Sequence, residues 1–110
     1  MNKTLLNTNH EYTEDFKMVQ VANAPEVQIN FVRVKAGKSL PAHNANSNVR
    51  LLGLEGEITI EIEAGPVQIG THEIAEVAFG THMQIKNTQA QDAAFLVIKA
   101  PNPSEMKGTA

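Results

Sequence analysis

The sequence predicts an all-β fold, an antiparallel sandwich or barrel, from three observations. Short runs of β-type residues recur along the chain and are separated by turn residues. One run, 56–63, alternates between polar and apolar residues, which is typical of a half-buried antiparallel strand. No segment combines a sustained 3.6-residue period with helix caps. Many short, closely spaced strands favour a sandwich or barrel.

Eight strand candidates follow one another along the chain. The clearest lies in 56–63, where Ile58, Ile60 and Ile62 share one face and the residues between them are polar. Proline and glycine mark the breaks, at Pro25, at Gly37 and in the stretch 64–66. The candidates are 16–22, 27–35, 49–54, 56–63, 67–69, 74–79, 83–86 and 94–99.

Length and composition restrict the possible functions. A chain of 110 residues fits one compact domain, 1–110. The net charge of −3 and the scattered basic residues give no reason to expect nucleic acid as a partner. Without cysteine there is no disulfide framework, thiol nucleophile or thiolate metal site. The N-terminal residues form no long apolar run, so neither a signal peptide nor membrane attachment is expected, and a cytoplasmic location is the default.

Two runs are apolar on both strand faces, 49–54 and 95–98. A strand that is wet on one side would alternate with polar residues instead. Both faces are therefore expected to be buried, one in the barrel interior and the other against a second molecule. Since the chain is small, we expect that molecule to be another copy, which gives a face-to-face homodimer.

The stretch 37–56 resembles the first sequence motif of the cupin family. That motif runs Gly, five residues, His, one residue, His, three or four residues, Glu, six residues, Gly. Gly37, His43 and Gly56 match it, and the turn 54–57 is typical of the family. The resemblance covers about 27–99. It implies a small single-domain cupin of the conserved-barrel type, which is a double-stranded β-helix or jelly-roll-like antiparallel barrel.

The stretch 72–87 resembles the second cupin motif less closely. Gly80 and Asn87 match at the right spacing. His72 stands at the opening glycine of that motif, Ala78 at its proline and Met83 at its histidine. The position of this stretch after the first motif is what supports the assignment.

The resemblance implies a degenerate metal site. The family holds a divalent ion with three histidines and one glutamate, and the matching positions here are His43, Ala45, Val49 and Met83. One imidazole is too few ligands for a zinc or iron site, so no metal or other cofactor is expected. These four residues would form a small apolar pocket around His43. The neighbouring Arg50 is a further pocket candidate, although strand alternation turns its side chain the other way. Such a pocket suits an uncharged or weakly polar small molecule.

An alternative depends on His82, which is next to Met83. Strand alternation places Met83 with Ile85 on the apolar face and His82 on the other face. A bulge at 80–81 could reverse this arrangement, and His43 with His82 could then bind a divalent metal. His10 and His72 are expected at the surface.

Three functional hypotheses follow. The first is a small-molecule-binding cupin barrel of unassigned specificity, without metal and non-catalytic. The second is a metal-dependent cupin enzyme, an oxygenase or isomerase, that uses His43 with a shifted ligand such as His82. The third is a sensor or accessory subunit that acts through its partner surface.

Overall fold

The computed structural model describes residues 1–6 and 12–106. Within these residues the chain forms nine β-strands and one short 3₁₀ helix. The strands are β1 (Phe16–Ala24), β2 (Val27–Val34), β3 (His43–Asn44), β4 (Val49–Glu55), β5 (Ile58–Ile62), β6 (Gly65–Ile69), β7 (Ile74–Val77), β8 (His82–Lys86) and β9 (Ala93–Lys99), and the helix is Pro103–Glu105. The all-β prediction is therefore confirmed.

The strands form two antiparallel sheets that enclose one apolar core. The five-stranded sheet has the order β1-β2-β9-β4-β7, and the four-stranded sheet has the order β3-β8-β5-β6. Phe95, Leu51 and Ile60 are among the largest fully buried side chains, and they come from both sheets. The core thus lies between the inner faces of the sheets, where strand alternation directs one apolar set from each strand.

The predicted strands agree with the observed ones except at two places. β3 was not predicted, because two residues are too few to show a periodic pattern. β6 begins at Gly65 and includes Pro66, although the proline reads as a break. Pro66 lies opposite Glu61 on an edge strand, where a missing backbone N–H costs little.

Gly53 and Gly56 allow close contacts between strands and turns. A Cβ on Gly53 would lie 2.0 Å from the carbonyl oxygen of Gly70. Gly56 has a φ of +66°, and its Cβ would lie 2.8 Å from the carbonyl oxygen of Asp92. The closing glycine of the first motif therefore serves the turn after β4, where other residues would be strained.

The runs that are apolar on both faces lie side by side in β4 and β9. Leu51 and Phe95 point into the core, whereas Leu52 and Leu96 are half-buried on the outer face of the five-stranded sheet. Leu52 and Leu96 are also register partners. Burial on both faces is thus found in part, and the homodimer that it suggests stays a prediction.

In the described part of the chain, no helix has the length and apolar character needed to cross a membrane. The cytoplasmic location and the domain bounds 1–110 stay predictions.

Candidate functional site

Three of the four positions that match cupin metal ligands lie inside the apolar core. Ala45 and Met83 are 2% exposed and Val49 is 5% exposed. The backbone fixes this region, because the Ala45 N–H donates to the Thr81 carbonyl at 2.8 Å and the Gly80 N–H donates to the Ala45 carbonyl at 2.8 Å. All three belong to the hydrophobic core cluster, and this packed apolar contact offers no imidazole or carboxylate.

His43, the fourth position, lies at the exposed edge of this contact. It is the register partner of Met83, but its side chain is exposed at the end of the four-stranded sheet. Its Nδ1 lies 3.3 Å from the Pro41 carbonyl oxygen. The structure thus places Ala45, Val49 and Met83 in one buried cluster and leaves His43 exposed beside it.

His82 points away from the core, as strand alternation predicts. It is exposed on the outer face of the four-stranded sheet, and its Nδ1 lies 2.8 Å from the Asn44 side-chain oxygen. His43 and His82 therefore do not converge. Within residues 1–6 and 12–106, no three His, Cys, Asp or Glu side chains are grouped to hold a metal ion. The shifted-ligand alternative is not favoured.

Arg50 belongs to the opposite face of β4 from Val49. Its Nε donates to Glu76 Oε1 at 3.2 Å, and both side chains are well exposed. Arg50 therefore lies outside the barrel interior and does not join the other predicted pocket residues.

The second motif contributes structural residues. Asn87 is fully buried, and its side-chain NH₂ donates to the Gln91 and Val34 carbonyls at 2.8 and 3.2 Å. His72 is exposed and has a φ of +68°, a conformation that favours the glycine found there in the family motif. His10 lies outside the described residues.

An open cavity lies beside the packed contact, between β5 and β6 of one sheet and β7 of the other. Its volume is about 190 Å³. Val77 and Ile62 connect it to the packed contact, because they are the register partners of Val49 and Met83. We call it the inter-sheet cavity, and its lining residues are Ile60, Ile62, Val67, Ala75, Glu76, Val77, Ala78 and Thr81.

Sequence patterns did not locate this cavity. The alternation in 56–63 identifies Ile60 and Ile62 as inward-facing, but such residues normally belong to a closed core. β6 is an edge strand of one sheet and β7 is an edge strand of the other. The cavity depends on the distance between these two strands. Spacing between sheets is a long-range property that local periodicity does not encode.

A half-buried lysine adjoins the family's carboxylate position. Lys99 is the register partner of Val49 at the end of β9. Burial lowers the pKa of its amine below the ordinary value of 10.5. A cation at this place disfavours a divalent metal ion nearby.

Comparison with known proteins supports the fold, although no protein-family model matches the chain. The chain is 32% identical over 101 residues to an uncharacterized protein of Methanocaldococcus jannaschii, covering 88% of this chain and 87% of that protein. The crystal structure of that archaeal protein is described as an RmlC-like cupin with a double-stranded β-helix fold. It aligns with a TM-score of 0.77 at 29% identity, over 93% of this chain and 97% of that chain.

More distant structures share the fold. A cupin superfamily protein of Desulfitobacterium hafniense aligns with a TM-score of 0.74 at 18% identity, covering 84% of both chains. The cupin domain of Cnp3 from Schizosaccharomyces pombe aligns with a TM-score of 0.75 at 18% identity, over 88% of this chain and 72% of that chain. The motif glycines, the two-sheet fold and the archaeal relative agree, and the chain belongs to the cupin family, with its double-stranded β-helix fold.

Proposed function

We propose that this protein is a metal-free, non-catalytic cupin barrel that binds a small apolar molecule in the inter-sheet cavity. One observation carries the proposal. Where the family motifs place three of their four metal ligands, this chain has the buried apolar side chains Ala45, Val49 and Met83.

The residues at that place do not fit a divalent ion. Zinc and non-haem iron need at least three good protein ligands, and the interior position supplies one thioether and two hydrocarbon side chains. Moving a polar ligand into this region would require burial without compensating hydrogen bonds, which costs a few kcal/mol. A metal site here would therefore require more than one substitution, because the three positions belong to the hydrophobic core cluster.

The inter-sheet cavity supports a small ligand. Apolar cavities of roughly 150 Å³ stay dry and accept benzene-sized molecules. The cavity here, at about 190 Å³, is of that size and has an apolar lining with Glu76 and Thr81 among its residues. A single aromatic ring or a short aliphatic chain fits this volume, whereas drug-sized ligands need at least about 300 Å³.

A titration with toluene, followed by two-dimensional amide NMR, tests this proposal. We expect saturable shifts in residues of β5, β6 and β7. Val67→Phe should abolish them by filling the mouth of the cavity, whereas Val19→Phe on the other sheet should not. The two valines are a matched pair, because Val67 is 42% exposed and Val19 is 43% exposed. Shifts that are absent or scattered over the surface, or equal loss in both variants, would contradict the proposal.

We also propose that the barrel forms a face-to-face homodimer through β4, β7 and β9. The outer face of these strands carries an apolar row, Leu96, Leu52 and Ile74, joined by direct register pairs. The exposed Arg50–Glu76 pair lies beside this row. A two-fold axis needs a self-complementary surface, and an apolar row with one cation and one anion meets that need.

Light scattering at micromolar concentration tests the homodimer. The wild-type protein should have twice the mass of one chain, and Ile74→Lys should reduce that mass to one chain by placing charge in the row. Val67→Lys, a change at an exposed position of the other sheet, is the control and should stay dimeric. A monomeric wild-type protein would refute this part of the proposal.

A further inference from the structure

Arg33 is a buried cation on the outer face of the five-stranded sheet. Its side chain is only 11% exposed, and its Nη2 donates to Glu55 Oε2 at 2.8 Å. Its Nε is buried and has no hydrogen-bond partner among the described residues. A buried donor without a partner is costly, and the described residues supply no acceptor for this one.

A groove of about 330 Å³ adjoins this guanidinium, and we call it the outer groove. Its apolar lining comes from Val19, Val21 and Phe31 and from Leu5 and Leu6 of the N-terminal segment. Lys17, the register partner of Arg33 on β1, lies at the same end as Arg33. Thr4 and Gln20 complete the lining. The groove therefore has an apolar body and a basic end.

Among the described residues, the carboxylates near this end do not pair with Nε of Arg33. Glu55 contacts Nη2 of Arg33 and leaves its Nε without a partner. Asp92 is engaged elsewhere, since its oxygens accept from the Ala36 N–H at 3.0 Å and the Tyr12 hydroxyl at 3.5 Å. Arg33 lines the groove and its side chain keeps some exposure, so an external anion in the groove would meet this cation.

We infer that the outer groove binds a small amphipathic anion, a carboxylate with a short apolar tail. The tail lies against Phe31 and Val19, and the carboxylate accepts from Arg33. Arginine suits this role, because its planar fork holds carboxylates and stays charged at any physiological pH. This site is separate from the inter-sheet cavity, since it lies on the other side of the five-stranded sheet.

Titration calorimetry with octanoate and octan-1-ol tests the inference, because the two probes share a tail and differ in charge. We expect octanoate to bind at least ten-fold more tightly than octan-1-ol. Arg33→Gln should remove that difference. Arg50→Gln should leave it intact, and this control is matched, since Arg50 also pairs with a glutamate on the same outer face but is 47% exposed.

A second variant covers the case in which Arg33→Gln fails to fold. Val19→Trp fills the groove from an exposed position and should abolish octanoate binding in a folded protein. Val67→Phe, which blocks only the inter-sheet cavity, should leave octanoate binding unchanged. Equal affinity for the two probes, no octanoate binding, or equal loss in the Arg33 and Arg50 variants would overturn the inference.

Discussion

Two regions on opposite faces of the five-stranded sheet differ in whether they contain a charged side chain. On the inner face, the family's metal position is a closed contact of Ala45, Val49 and Met83. On the outer face, Arg33 keeps a buried guanidinium beside an open groove. The inner region is stabilised by apolar packing alone. The outer region has a buried donor, Nε of Arg33, that has no acceptor among the described residues.

The comparison separates the fold of a family from its chemistry. Gly56 keeps the turn that the barrel needs, while Ala45 and Val49 replace residues that only metal binding needs. The same barrel can then place a buried charge elsewhere without loss of the core. In this chain the candidate site for recognising a charged ligand lies outside the barrel, and the candidate interior site is apolar.

The largest expected effect comes from breaking the inner region. Met83→Ala should lower the free energy of unfolding by about 2–5 kcal/mol, because it removes most of a buried side chain and leaves a cavity. His82→Ala, the adjacent and exposed position, should change it by less than about 0.5 kcal/mol. Urea denaturation of the two variants measures the difference, and similar losses in both would show that the inner region is not closed.

A smaller effect is expected on the outer face. Arg33→Ala should cost about 1–2 kcal/mol, mainly through lost packing of its buried stem. Arg50→Ala should cost about 0.5 kcal/mol or less, since exposed ion pairs contribute little. Urea denaturation again provides the measurement, and an equal cost for the two arginines would remove the contrast between a buried and an exposed cation.

The smallest expected effect is a dependence of stability on alkaline pH. Burial lowers the pKa of Lys99, so the unfolded chain binds more protons than the folded one between that lowered pKa and 10.5. The free energy of unfolding therefore rises with pH through that window. At lower pH the folded state carries the full cost of burying the charged amine. In Lys99→Met the rise should disappear, whereas in Lys38→Met, at an exposed position, it should remain.

A tyrosine acts in the opposite direction at higher pH. Burial, followed by the charge of Asp92, raises the pKa of Tyr12 above 10.0, so its contribution to stability falls as pH rises through the unfolded value. Tyr12 is present in both lysine variants, so the difference between each variant and the wild type isolates the lysine. A rise that persists in Lys99→Met would assign it to another group.

Local pattern predicted much of the fold and part of the inner region. Alternation around Ile58 and Ile60 located β5, and alternation around Ile85 gave the inward direction of Met83. The motif spacing identified the family. These features depend on residues that are close in sequence, so a single sequence is sufficient to predict them.

Other features depend on contacts that sequence spacing does not encode. His43 matches the motif, yet the two-residue β3 ends the sheet and leaves its side chain exposed. Arg33 lies on the outer face of β2, yet it is buried beside a groove that Leu5 and Leu6, distant in sequence, also line. Both cases depend on tertiary packing, which overrides local pattern.

The metal content of the untagged protein tests the central claim most directly. The protein would be incubated with two equivalents each of manganese, iron, nickel and zinc, desalted and analysed for its elements. We predict less than about 0.1 equivalent of any of them, because the inner position supplies no set of three ligands. About one equivalent of a single metal that disappears in His43→Ala would contradict the account.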